Sequence, residues 1–240
     1  MLRLKEIRKE LSSLANPTQA KHLMGFFKTG KGEYGEGDIF YGIKVPVTRS
    51  IAKKYAQELN LKEVEALLHS KIHEERLCAL LVLIQKYENK KATEIEKKEI
   101  FDFYLSNTKY INNWDLVDLS SHEIVGEYLF NHPKESHLLE KLAKSSLLWE
   151  RRIAMVCCYH SIYRKSFAEP IKVAELLLND KEDLMHKAVG WMLREIGKRD
   201  LTVEENFLQK HYKTMPRTML RYAIEKFPEE KRKSYLKGTI

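Results

Sequence analysis

One helical motif recurs five times along this chain. ERLCALLVL begins at residue 75, WDLVDLSSH at 114, RRIAMVCCY at 151, HKAVGWML at 186 and RTMLRYAI at 217, so successive starts lie 31 to 39 residues apart. That is the period of degenerate two-helix repeats, in which one repeat cannot bury its own apolar face and must stack on the next. Elsewhere apolar residues keep helical spacing, as in Leu61, Val64, Leu67 and Leu68 or Val173, Leu176 and Leu177, and strand-like alternation is nearly absent. The pattern predicts an all-α fold, an α-solenoid whose second helices line one concave wall. Residues far apart in sequence would then face one ligand.

First helices are expected between these segments, around 61–70, 94–106, 135–144, 168–178 and 202–212. The chain reads as a single repeat domain, 1–240, with helices near 2–14 and 17–28 forming a cap over 1–28 and with 29–45 as a connecting loop. Asn113 and the pair Asn179-Asp180 stand where N-caps are expected for the helices bearing Trp114 and Trp191. The loop, TGKGEYGEGDIFYGIKV, places Gly30, Gly32 and Gly35 in GxGxxG spacing and ends in a faint likeness to a kinase VAIK strand. No strand precedes the glycines, the other kinase segments are missing, and Glu33, Glu36 and Asp38 would repel a phosphate. The segment therefore reads as a flexible connector.

Charge narrows the partner. With 42 Lys and Arg against 34 Asp and Glu, the net charge is +8, and a basic surface steers polyanions and gains affinity by releasing their counterions. Only 10 Gly and 6 Pro favour helices over a turn-rich β architecture. Cys78, Cys157 and Cys158 lack CxxC spacing, which argues against a disulfide framework or zinc ribbon and for a reducing, intracellular setting. The first residues, MLRLKEIRKELSSL, form a charged amphipathic helix rather than a signal sequence, and no run is long enough to span a membrane. His122-Glu123 lacks the second histidine of HExxH, so neither a metal nor another cofactor is expected.

Trp114 and Asp118, four residues apart, share a helix face. Arg152 opens the next second helix, and Trp191 lies in the one after. A carboxylate, two indoles and a guanidinium at matching places in successive helices have the composition of a site. Each also has a plain structural use, the indoles as core anchors and Asp118 with Arg152 as a salt bridge between repeats. Asp115 reads as a surface acid favoured by the helix dipole. Arg151 points about 100° away from Arg152, toward solvent or a phosphate. Lys44, Arg49, Lys53, Lys187, Arg194, Arg217 and Arg221 belong to basic stretches on or near the inner helices and are candidate phosphate contacts, although a solvated outer face is the ordinary place for such residues.

NWDLVD at 113–118, WERRIA at 149–154 and HKAVGWMLRE at 186–195, with FYGIKVP at 40–46, resemble in order and spacing the AlkD family of DNA alkylation repair enzymes, DNA glycosylases built from HEAT-like repeats. The likeness runs from Lys21 to Phe227. It implies a HEAT-like α-solenoid with a concave basic DNA-binding face that cups duplex DNA and removes cationic N3- or N7-alkylated purines. On this resemblance Asp118 is the catalytic carboxylate, Trp114 and Trp191 are the active-site tryptophans, and Arg152 is the active-site arginine. The glycine-rich approach at 30–38 departs from the family's pattern.

The chemistry is consistent with one carboxylate. A cationic purine leaves C1′ without a strong general acid, so the remaining task is to stabilise a cationic sugar and position water, without the second acid of ordinary glycosidases. Each indole face can add roughly 0.5 to 2 kcal/mol of cation–π attraction. Arg152 would hold a phosphate bidentately. The resemblance also implies that the lesion need not be turned into a deep pocket. The expected activity is that of a monofunctional DNA N-glycosylase acting on duplex DNA, monomeric, cytoplasmic and nucleoid-associated when on DNA. The alternatives are a non-catalytic helical-repeat module that binds damaged or structured DNA, and a protein-interaction scaffold, which the charge and paired indoles disfavour.

Overall fold

The computed structural model describes residues 2–240 and is all-α. Among these residues there is no β-strand, and one isolated parallel bridge joins Ile39 to Ile72. The chain divides into two compact units, Met1–Leu116 and Val117–Ile240.

The first unit contains α1 (Leu2–Ser13), α2 (Pro17–Phe26), α3 (Val45–Tyr55), α4 (Leu61–Leu68), α5 (His73–Tyr87) and α6 (Glu94–Ser106). The α5 sequence HEERLCALLVLIQKY has an apolar middle with no polar face, and such a helix is stable only when surrounded. Accordingly α1, α3, α4 and α6 pack around it. Capping boxes start α4 (Asn60 with Glu63) and α6 (Thr93 with Glu96), tying down backbone donors that a helix N-terminus otherwise leaves open. The expected pairs emerge close to their predicted bounds. Helix α3 is an addition, with Pro46 in its first turn and Lys53 and Lys54 in its last.

The segment between α2 and α3 is not a free connector. The Glu74 carboxylate at the start of α5 accepts the backbone N–H groups of Tyr41, Gly42 and Ile43 at 2.9, 2.7 and 3.1 Å. Gly42 has φ +86°, and a Cβ there would strike the Asn16 carbonyl oxygen, so this close crossing requires glycine. Glu33 and Glu36 accept the Gly30 and Gly32 N–H groups, both at 2.8 Å. The loop's own acids thus fill the donors that a phosphate would need. Its acidity, which argued against a nucleotide cradle, is also what folds it.

Helix α7 (Trp114–Ser121) carries the boundary between the units and continues through a π-helical turn, His122–Gly126, into α8 (Glu127–Asn131). The second unit continues with α9 (His137–Ala143), α10 (Leu148–Val156), α11 (Tyr159–Tyr163), α12 (Ala168–Leu176), α13 (Asp183–Gly197), α14 (Leu201–His211), α15 (Arg217–Ala223) and α16 (Glu229–Lys237). Helix α9 packs on α10, while α13 lies against α10, α11, α12, α14 and α15. A Cβ on Gly190 would strike the Met219 carbonyl oxygen, so α13 and α15 approach closely only because glycine is there. The expected cap from Asn179-Asp180 is displaced. Helix α13 begins at Asp183, and the Asp180 carboxylate instead accepts the Glu182 N–H at 2.9 Å and pairs with Arg151. Among the described residues no helix is long and apolar enough to cross a membrane.

Candidate active site

Asp118 on α7 and Arg152 on α10 meet in a two-pronged ion pair. Arg152 Nε donates to Asp118 Oδ1 at 2.9 Å and Nη2 donates to Oδ2 at 2.8 Å. The third edge of the guanidinium, Nη1, donates to the Leu184 carbonyl at 2.6 Å, reaching the first turn of α13. The planar fork matches a carboxylate with two parallel bonds, which fixes the carboxylate plane as well as its position. Arg152 is buried, whereas the Asp118 side chain stays 17% exposed. This corrects the expectation that Arg152 grips a phosphate with its fork: the prongs are filled by Asp118. The salt bridge anticipated as the structural alternative is present.

Trp191 on α13 packs on Tyr159 of α11, ring centroids 6.2 Å apart, and Tyr159 in turn meets His122 edge-on at 5.4 Å. Two rungs therefore cross the same part of the second unit. Asp118, Arg152 and Leu184 form one; His122, Tyr159 and Trp191 form the other. His122 follows Asp118 by four residues and Trp191 follows Leu184 by seven, spacings that return a helix to the same face, whereas Tyr159 stands beyond the turn that ends α10, at the start of α11. Sequence reasoning missed Tyr159 and His122, although the register of His122 with Asp118 was available.

In the first unit Trp114 stacks on Phe27 at 5.1 Å and meets Phe26 edge-on at 5.8 Å. Phe27 and Phe40 lie against the ring of His73, at 5.1 and 4.5 Å. His73 sits between two acids, with Nε2 2.8 Å from Asp115 Oδ2 and Nδ1 3.1 Å from Asp38 Oδ2, while Arg76 contacts the same Asp38 oxygen at 2.7 Å. All four are buried. Burial opposes charge on His73, but the carboxylates of Asp115 and Asp38 outweigh it and its pKa is raised. Burial likewise opposes charge on Asp38, and hydrogen bonding by His73 with the Arg76 charge brings its pKa below the usual value. Two acids and two bases compensate one another in the interior, where an unpaired charge would be costly. Asp115 is thus not the surface acid expected from its place in the helix. Its partner comes from α5.

The candidate phosphate contacts fall into two groups. Lys44, Arg49, Lys53 and Arg221 are exposed. The others are engaged within the protein: Lys187 with Asp183 at 2.7 Å, Arg194 with Glu225, and Arg217 with the Leu236 carbonyl at 2.6 Å. Arg151 departs from its expected orientation toward solvent or phosphate, because Nε binds Asp180 at 2.6 Å and Nη1 donates to the carbonyls of Ser145 and Ser146. To reach a phosphate it would have to surrender those bonds. Among the described residues no group of three or more His, Cys, Asp or Glu side chains is placed to hold a metal ion.

Fold and site together define an all-helical protein with a partly exposed carboxylate braced by a buried guanidinium. The sequence profile of the family described as "DNA alkylation repair enzyme" matches residues 7–227, and the chain belongs to that family. Its structure is similar to that of a protein described as a predicted DNA alkylation repair enzyme from Enterococcus faecalis, with TM-score 0.71 and 18% identity, covering 90% of this chain and 97% of the other. It is also similar to AlkD2 from Streptococcus mutans, at TM-score 0.58 and 18% identity over 88% of this chain and 98% of that one. A third likeness is to smu.31 from the same species, at TM-score 0.56 and 20% identity over 77% and 93%. At these identities the likeness speaks for the fold. No curated protein matches the sequence.

Proposed function

We propose that this protein is a monofunctional DNA glycosylase that hydrolyses the N-glycosidic bond of cationic N3- or N7-alkylated purines in duplex DNA. Membership of a DNA alkylation repair family supports alkylated DNA as the substrate. The observation that carries the catalytic reading is the Asp118 carboxylate, fixed in plane by Arg152 yet still partly accessible. An ionised carboxylate held in one orientation stabilises positive charge developing on the sugar without reorganising during the reaction. Arg152 is a positioning residue in this account. Trp114 and Trp191 offer indole faces to the cationic base or sugar. The fold suited to this work is a HEAT-like α-solenoid with a concave basic DNA-binding face, acting as an intracellular monomer that is nucleoid-associated on DNA. Exposed Lys44 and Arg49 suit backbone contacts.

A second reading has an observation in its favour. The Asp118–Arg152 pair is satisfied entirely within the protein, as an architectural brace would be, which suits a non-catalytic module that binds damaged or structured DNA. Incubation with duplex DNA containing 7-methylguanine separates the two readings. The glycosylase releases free 7-methylguanine and leaves an abasic strand; binding to that duplex with no base released would select the module.

A further inference from the structure

Beyond Trp191, the aromatic rung runs on to a guanidinium that the proposed chemistry does not use. Arg199 follows the end of α13, and its Cζ lies 5.6 Å from the Tyr159 ring centroid and 5.4 Å from that of Tyr163. Tyr159 and Tyr163 are one helical turn apart on α11, so the cation rests against two rings on one face. Its Nη1 donates to the Glu195 carbonyl at 2.9 Å and to Glu195 Oε2 at 3.1 Å. Nε and Nη2 make no hydrogen bond among the described residues, so that edge of the planar fork keeps its donors to give, and the side chain is 17% exposed. Tyr163 is 68% exposed. Glu195, the acid beside this cation, is also engaged by Lys198 at 2.6 Å. Exposed Arg164 and Lys165 adjoin Tyr163, so the surroundings are net positive.

An open guanidinium edge held in place by two rings and a carboxylate is organised for a tetrahedral oxyanion before the ligand arrives. Lysine, a point charge on a flexible stem, would not offer the same two parallel donors. An exposed aromatic face beside such a cation adds apolar contact for the sugar of the nucleotide whose phosphate the cation takes, a contact to the backbone rather than to a base. We propose that Arg199 and Tyr163 form a strand-binding subsite, in which Arg199 takes the phosphate of a nucleotide adjoining the lesion and Tyr163 covers its sugar. This rests on the DNA reading above and adds a second point of grip, reached from Trp191 through Tyr159.

The test is the affinity for a duplex carrying 7-methylguanine, measured across a salt series for the intact chain and for Arg199→Ala, Arg199→Lys and Tyr163→Ala, with thermal unfolding to confirm that each variant is folded. Arg199→Ala is expected to weaken binding and to reduce the slope of log K against log salt by about 1, the signature of one lost phosphate contact. Arg199→Lys retains the slope and loses affinity, because charge survives and the fork does not. Tyr163→Ala leaves the slope unchanged and weakens binding on the order of 5-fold through lost apolar contact. Binding by the intact chain that is unchanged in all three variants overturns the subsite and leaves the glycosylase proposal standing. Weakened binding in the variants, with no base released by the intact chain, supports the subsite and overturns the glycosylase. No binding of the intact chain to duplex DNA at low salt overturns both.

Discussion

Glu204 is a carboxyl group almost wholly removed from water, with Oε1 lacking a hydrogen-bond partner. Burial, reinforced by neighbouring Glu205 and opposed by Arg194, pushes its pKa up to about 8. Between the ordinary carboxyl value and that one, the native state keeps a proton that the unfolded chain has released, so stability falls as pH rises through this window. Glu204→Gln should remove that loss, raising stability at pH 8 to 9 by on the order of 2 to 4 kcal/mol and changing little near pH 4. Chemical denaturation at the two pH values checks this; equal gains at both would contradict it. His73 acts in the same direction: its raised pKa gives stability that is full below the unfolded value and lost as pH climbs through the folded one. Replacing it by Gln leaves Asp115 buried without its cation and Asp38 with Arg76 alone, and should cost about 3 to 5 kcal/mol; an unfolding midpoint equal to that of the intact chain would refute the ion-pair account. Helical register places Asp118, Arg152 and the two indoles at matching positions of successive helices, and it is the family resemblance that gives them roles in a site. Register was silent on His73, whose contact with Asp115 joins residues 42 apart in sequence, so no local pattern could turn Asp115 from a surface acid into a buried one.

At the scale of elements, the repeated apolar face located the helices α4 to α7, α9, α10 and α12 to α15 because burial of one stripe dominates their formation. The same signal missed α3, which follows directly on the glycine-rich segment, and the π-helical turn His122–Gly126, whose extra residue does not alter the apolar pattern enough to be read. An apolar pattern reads the 29–45 segment as a connector, because the carboxylates that fold it act on backbone N–H groups rather than on an apolar face. Close helix approaches give a direct check on packing. A methyl group at Gly190 meets the Met219 carbonyl, and one at Gly126 meets the Cys157 carbonyl, whereas nothing lies within 4 Å of the position it would take at Gly25. Gly190→Ala and Gly126→Ala should each destabilise by about 1 to 3 kcal/mol through overpacking. Gly25→Ala, in α2, should be neutral or stabilise by about 0.5 to 1 kcal/mol, since alanine restricts the unfolded chain and suits a helix. Thermal midpoints that drop equally in all three would show that these glycines do not set the helix spacing.

For the whole molecule, net charge +8 makes association with DNA dependent on salt, and an affinity unchanged between low and physiological salt would argue against the DNA reading. Such a dependence would bear on binding alone, whereas the proposed glycosylase activity is a matter of chemistry. The Asp118 carboxylate is proposed to stabilise a cationic sugar that exists only near the transition state, so its charge should matter far more to excision than to binding. Asp118→Asn keeps the side chain's shape and removes that charge. It also unbalances the buried Arg152, so thermal unfolding must be followed alongside to establish that the variant is folded. The decisive measurement is single-turnover release of 7-methylguanine from duplex DNA by the intact chain and by folded Asp118→Asn, at enzyme concentrations that saturate the DNA in both. For folded Asp118→Asn the expected rate is lower by about 10²-fold or more, with DNA affinity similar or slightly higher. Release at the full rate by the folded variant would contradict the catalytic reading.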